Sequence, residues 1–356
     1  MSPAVDPPKP PYTVRLPFKT INSHTIHLEA WLPSEEQIEA AGTGREGKGV
    51  PVVVWLHGGE LGFFDGAAGD CSLPNLLPTL ARGWAFVALE YRLVPQVTLH
   101  QCVEDVKDGC EFVRSGKLDA ALGGGRVEGE RLAVTGASAG ASFEAVDAAP
   151  LPKRCDVMRA ALAIFASYTL SPPPRVVYSL YGGCDLSSPS YHTRVAFPSG
   201  PISYSEVASH LSPDSPVVSS SPAEVDFSTL VAQGRTRACF WAVQEGKATE
   251  LAVPGLTEGA EDPKLAPFIA TSLIRSASDP RTQIPPTVCV HGTADLMVPF
   301  EISERLVGAL EEAGVDALLI REEGANHGFD LIPGVVGDRE KMKCFDEAND
   351  FVAKYI

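Results

Sequence analysis

Gly136-Ala137-Ser138-Ala139-Gly140 sets a hydroxyl between small neighbours, one residue beyond the apolar run Leu132-Ala133-Val134 and ahead of a helix-compatible segment. A serine on a sharp strand-to-helix turn needs such neighbours, because a bulky flank would fill the space in which its oxygen must stand clear. Serine is a weak nucleophile at neutral pH and needs an imidazole to take its proton. The imidazole in turn needs a carboxylate to fix its tautomer and stabilise its charged form. Both occur later, each after a short apolar run: Asp295 in Val288-Cys289-Val290-His291-Gly292-Thr293-Ala294-Asp295, and His327 in Gly324-Ala325-Asn326-His327-Gly328-Phe329 after Leu319-Ile320. The chain order is Ser, Asp, His. The chemistry these three could perform is acyl transfer.

A fourth element is Val52-Val53-Val54-Trp55-Leu56-His57-Gly58-Gly59, a run ending in a histidine and two glycines. The backbone N–H groups of Gly58 and Gly59, with that of Ala139, are the expected donors to the oxyanion of a tetrahedral intermediate. Taken alone, these residues read equally well as a glycine turn with a structural His57. Asp330 competes with Asp295 for the role of acid, but it follows the histidine on the same loop and fits it poorly, so Asp295 is expected to orient His327. His291, directly after a run, is expected to be structural. His24, His27, His100, His192 and His210 have no motif around them, and Asp185, beside Gly182-Gly183, reads equally as a lid residue or a turn residue. Metal-binding spacings such as H-E-x-x-H are missing, and Gly123-Gly124-Gly125 has neither the Lys-Ser/Thr of a phosphate loop nor a dinucleotide fingerprint. No metal, nucleotide or other cofactor is expected.

The elements that must hold these residues are legible as punctuated apolar runs: 52–56, 85–89, 132–134, 176–180, 288–290 and 317–320. Runs of this kind suit strands buried on both faces, and helical candidates at 99–113 and 302–313 alternate with them. Alternation predicts an α/β architecture, a mostly parallel central sheet with helices on both faces and reactive groups at the carboxyl ends of its strands. Residues 12–32 alternate apolar and polar in places, as half-buried antiparallel strands do. Between Gly182 and Pro285 the alternation fails, and 187–222 is dense in Ser and Pro. So long a loop is improbable inside a compact domain, so 182–285 is expected to be an inserted lid or cap with short helices near 237–243 and 266–274, on a core of 1–181 and 286–356.

Of the 356 residues 44% are apolar and 21% charged, which suits a globular chain with a large core. The net charge of −16 and the want of a basic patch argue against nucleic acid as a partner. No apolar run approaches a membrane span, and six prolines in the first seventeen residues replace the apolar stretch of a secretory signal, so a cytoplasmic location is expected. The eight cysteines are dispersed and read as reduced thiols.

In combination, His57 to Gly59, Tyr91-Arg92-Leu93, Ser138-Ala139-Gly140, Asp295-Leu296-Met297-Val298-Pro299 and His327-Gly328-Phe329 resemble the motifs of the α/β-hydrolases, specifically the branch of hormone-sensitive lipase and microbial carboxylesterases. The resemblance spans about residues 50 to 330. Glu60 stands where that branch has a third glycine, Ala137 where it has an aspartate, and Ala141 where another glycine is common. The branch also builds its cap largely from N-terminal helices, whereas residues 1–49 here look strand-like and Pro-rich. The resemblance implies an α/β-hydrolase fold and a serine carboxylesterase acting on a small-molecule ester through an acyl-enzyme. Its catalytic residues would be Ser138, Asp295 and His327, with Gly58, Gly59 and Ala139 as the oxyanion hole. Glu60, Phe63, Phe64, Phe240 and Trp241 are the expected lining of the substrate pocket, although core packing is the commoner fate of such aromatic residues. An amide, thioester or lactone substrate, or a hydrolase-like binding protein without turnover, are the alternatives, and the oligomeric state is open.

Overall fold

The computed structural model describes residues 6–44, 48–58, 64–137, 160–196, 200–222, 224–226, 231–295 and 297–356. Ten strands are described: β1 (Val14–Ile21), β2 (His24–Trp31), β3 (Val50–Leu56), β4 (Ala85–Leu89), β5 (Val127–Ala137), β6 (Val176–Leu180), β7 (Val225–Asp226), β8 (Val231–Ala232), β9 (Thr287–Gly292) and β10 (Ala317–Glu322). Eight of them form one sheet in the order β1-β2-β4-β3-β5-β6-β9-β10, and β7 and β8 pair with each other. From β4 to β10 every pairing is parallel, whereas β1 and β2 form an antiparallel hairpin on the β4 edge. The expected mostly parallel sheet with helices on both faces is the architecture observed.

The apolar runs explain why. Val52, Val54 and Leu56 point to one face of the sheet with Val87, Leu89, Leu132 and Val134, and Val53 and Trp55 to the other with Phe86 and Ala133. Strands with two buried faces have no room for polar alternation. The first face carries the helices Leu99–Arg114, Ala160–Ser167 and Phe300–Glu312, the last through Ile302, Leu306 and Leu310 at four-residue spacing. The second carries Leu73–Ala81 and Arg339–Val352, through Leu76, Leu80, Phe345 and Phe351.

The register fixes where the chemistry gathers. Leu56 lies opposite both Leu89 and Gly136, Ala137 opposite Leu180, and Gly292 opposite Glu322. The carboxyl ends of β3, β5, β6, β9 and β10 therefore share one edge, and the segments that leave it include His57-Gly58, Ser138, Asp295 and His327 in sequence.

Between β6 and β9 lie the helices Tyr204–Leu211, Gly234–Gln244, Ala248–Ala252, Ala270–Ser276 and Pro280–Gln283, with short 3-10 turns. Their apolar faces, including Val207, Phe240 and Phe268, join the first-face core. Arg235 pins this segment down: its Nε donates to the Phe64 carbonyl at 2.7 Å, its Nη1 to Gln96 Oε1 at 2.8 Å and its Nη2 to the Val94 carbonyl at 2.6 Å. Thr236 Oγ1 donates to Asp65 Oδ2 at 2.7 Å, and Gly66 and Ser221 exchange backbone hydrogen bonds.

Asp105, wholly buried on the Leu99–Arg114 helix, ties three parts of the core together. Its carboxylate accepts from Arg92 Nε at 2.7 Å and Nη2 at 2.8 Å, from the Arg92 backbone N–H at 3.1 Å, and from Lys19 Nζ of β1 at 2.6 Å. Removing one partner of a buried ion pair strands the other charge. Asp105→Ala is expected to cost about 3–5 kcal/mol in chemical denaturation, against 0–1 kcal/mol for Glu104→Ala in the exposed Lys107 pair. Equal losses in the two variants would contradict this.

Candidate active site

β3 leads directly into His57 and Gly58 at the sheet edge. The imidazole is buried, stacked on Tyr91 with ring centroids 4.3 Å apart and planes 6° from parallel, and its Nδ1 lies 2.8 Å from the Gly58 carbonyl oxygen. Tyr91 OH donates to the His57 carbonyl at 2.8 Å, and the neighbouring Leu93 N–H to Val218 at 2.9 Å. Tyr91 thus braces the turn, and its neighbours Arg92 and Leu93 are held by Asp105 and Val218. Gly66 presses on the same turn: a Cβ there would stand 2.0 Å from the Gly58 oxygen, which only glycine avoids.

Asp295 and His327 leave β9 and β10 and meet. The Asp295 side chain is fully buried, and its Oδ1 accepts from the backbone N–H groups of Met297 and Val298, both at 2.8 Å. Its Oδ2 lies 2.7 Å from His327 Nδ1 and 3.2 Å from His291 Nε2. Burial alone pushes this carboxyl up, but the charge of His327 and hydrogen bonds from His291 and His327 outweigh it and hold Asp295 well below the usual carboxylate range. The acid therefore stays ionised and the Nδ1–H tautomer of His327 is fixed. Nε2 of His327, buried, has no hydrogen-bond partner among the described residues.

The packing behind His327 comes from β6. Tyr181 follows β6 with φ at +42°, a left-handed backbone that a bulky residue keeps only where its surroundings hold it. Its ring lies 4.6 Å from that of His327 and 5.5 Å from Phe329, and its hydroxyl donates to Asp330. Burial pushes the Asp330 carboxyl up, against hydrogen bonds from Tyr181 and Ser72 that pull it down. Asp330 is therefore engaged by Tyr181 and Ser72, while Asp295 makes the hydrogen bond to His327.

Ser138, Gly59, Ala139, Glu60 and Phe63 lie outside the described residues. Of the remaining expected lining, Phe64 is buried in the first-face core, with its carbonyl held by Arg235. Phe240 and Trp241 sit on the Gly234–Gln244 helix, buried in the same core, with Trp241 against Tyr204 at 5.2 Å. His291 is the residue whose surroundings the sequence did not disclose: a histidine four positions before the acid, at the end of a buried strand, is the signal that could have found it. No group of three or more His, Cys, Asp and Glu side chains among the described residues could hold a metal ion.

Two family models match the chain: BD-FAE over residues 42–191 and the prolyl oligopeptidase family over 257–356. Among solved structures, an alpha/beta hydrolase superfamily protein from Enterococcus faecalis superposes with a TM-score of 0.63 at 16% identity, covering 93% of this chain and 96% of its own. The chain has the α/β-hydrolase fold. Esterase 2 of Thermogutta terrifontis shares this hydrolase fold with a TM-score of 0.56 at 17% identity, over 98% of this chain and 96% of its own. A different kind of relative is a non-reducing polyketide synthase of Preussia isomera, 23% identical over 92% of this chain; a methylphloroacetophenone synthase of Cladonia uncialis is 25% identical over 87%. The chain spans about a seventh of the length of these synthases, 14% and 12%. No helix among the described residues is long and apolar enough to cross a membrane.

Close approach of the two loops requires Gly292. A Cβ there would lie 2.3 Å from the oxygen and 2.8 Å from the carbon of the Ala325 carbonyl, which accepts from Ala294 N–H at 3.0 Å. Backbone cannot step aside as a side-chain tip can, so Gly292→Ala must spread the loops carrying Asp295 and His327. It is expected to lose about 1–3 kcal/mol in urea titration, whereas Gly308→Ala, with open space around its Cβ, should lose none. Indifference to Gly292→Ala would contradict the packing described.

Proposed function

We propose that the chain is a serine hydrolase that cleaves a carboxylic ester of a small, partly apolar molecule through an acyl-enzyme. The observation that carries this reading is the buried Asp295–His327 pair, whose Nε2 is without a partner among the described residues, at the strand edge where β5 delivers Ala137 and, next in sequence, Ser138. Ala137 pairs with Leu180, and the following Tyr181 packs against His327. In the reaction, Ser138 Oγ attacks the ester carbonyl while His327 Nε2 takes its proton. The resulting oxyanion is held by the backbone N–H groups of Gly58, Gly59 and Ala139, and the alcohol leaves with the proton returned by His327. Water then attacks the acyl-serine by the same proton path, releasing the acid and restoring Ser138. Asp295 stays ionised throughout and stabilises the imidazolium.

The 182–285 segment serves in this reading as the cap over the acyl or alcohol group, with Glu60 and Phe63 as its expected lining; Phe64, Phe240 and Trp241 pack in the core and back the cap rather than line it. The likeness to Thermogutta terrifontis esterase 2, which tabun phosphoramylates and paraoxon phosphorylates, supports an ester-cleaving serine on this fold. A second reading concerns the substrate. Alignment of 92% of the chain with a seventh of a polyketide synthase favours an acyl group of polyketide type, as an ester or thioester.

Hydrolysis of a p-nitrophenyl ester series from acetate to decanoate, run beside matched N-acetylcysteamine thioesters, tests both readings. Ser138→Ala is expected to lower kcat by about 10³-fold or more and Asp295→Asn by on the order of 10³- to 10⁴-fold. A preference for the thioesters over the matched oxyesters would favour the second reading. No turnover of any ester or thioester by folded protein would overturn the hydrolase assignment in favour of a ligand-binding role.

A further inference from the structure

His291 is fully buried at the end of β9 and takes no part in the acyl-transfer steps above. Among the described residues its Nε2 faces two acceptors, the Val298 carbonyl at 3.1 Å, with which it hydrogen-bonds, and Asp295 Oδ2 at 3.2 Å. That nitrogen therefore carries the proton, and Nδ1, at 2.7 Å from Ser303 Oγ, is left to accept from the hydroxyl in the neutral ring. Phe300 closes the remaining side edge-on, with centroids 5.6 Å apart. Ser303 comes from the Phe300–Glu312 helix and Val298 from the acid loop, so His291 joins strand, loop and helix around one carboxylate.

We infer that His291 is a positioning residue for Asp295, fixing through its Nε2–H the carboxylate oxygen that accepts from His327. The two imidazoles share Oδ2, while the Met297 and Val298 N–H groups hold Oδ1. Without His291, Oδ2 keeps one donor, and the side-chain torsion of Asp295 is set by the loop alone. An error of about 1 Å in the acid passes to the imidazole, and misplacement of that size costs on the order of 100-fold in rate. The inference rests on the hydrolase reading for its kinetic consequence, but not for its structural one.

The test uses His291→Leu, which fills the space without a donor, and His291→Gln, whose amide restores one. Two readouts apply: kcat and KM on the best ester, and the low-field proton resonance of His327 Nδ1–H, recorded in a Ser138→Ala background where no turnover is needed. His291→Leu is expected to lose about 10- to 100-fold in kcat with KM within about 2-fold, and to shift or broaden the resonance; His291→Gln is expected to recover most of both. Identical behaviour of the Leu and Gln variants, or an unmoved resonance in His291→Leu, would overturn the inference and leave a packing role. Should His291→Leu not fold, Ser303→Ala, which frees the ring to change tautomer, must disturb the same resonance, and an unchanged signal there overturns the inference equally. Failure of the hydrolase reading shows separately, as ester turnover surviving in Ser138→Ala.

Discussion

A carboxylate with no access to water must have its charge answered by the protein, and Asp295 is where this chain meets that demand. Two backbone N–H groups take one oxygen and two imidazoles approach the other. Unanswered, such a charge would be among the most costly features a core can contain; answered in this way, it dictates the course of the loops after β9 and β10. The acid loop must curl back so that Met297 and Val298 present their N–H groups. The histidine loop must come close enough for Gly292 to admit no side chain.

Those loops can meet only because the sheet is parallel from β4 to β10 and in a register that brings its carboxyl ends to one edge. Apolar packing on both faces holds that register, since a slip of one residue would exchange the two buried faces of every strand. A second buried carboxylate, Asp105, anchors Arg92 next to the tyrosine that stacks on His57. Two buried carboxylates thus hold the two ends of the edge, one through Arg92 beside Tyr91 and one through His327. The segment between β6 and β9 is fastened to the first of these ends through Arg235 and Thr236.

Much of this was legible in the sequence, and for identifiable reasons. Strands buried on both faces appear as unbroken runs, so 52–56, 85–89 and 176–180 coincide with β3, β4 and β6. The order Ser138, Asp295, His327, each after a run, pointed to one sheet edge, and Asp295 rather than Asp330 faces His327 Nδ1 because a residue three positions further along the same loop is carried away to Tyr181. Less was legible where long-range partners decide. The helix Gly234–Gln244 has too little amphipathic contrast to delimit itself, being buried on several sides by the core. In the Pro-rich start, Asp6 accepts from the Gly334 and Val336 N–H groups and the Pro10 carbonyl from Trp31, contacts no local pattern encodes. His291 has no motif of its own; its surroundings depend on Ser303 and Val298, which only the fold brings to it.

The central claim is that Ser138 is a nucleophile activated by the Asp295–His327 pair. Peptide mapping by mass spectrometry after reaction with a fluorophosphonate tests it most directly, because a single covalent mark reports both which oxygen attacked and whether it was activated. A phosphonyl adduct on the peptide containing Ser138, formed far more slowly in His327→Ala, is the predicted result. An adduct on another residue, or labelling at an unchanged rate in His327→Ala, would contradict it.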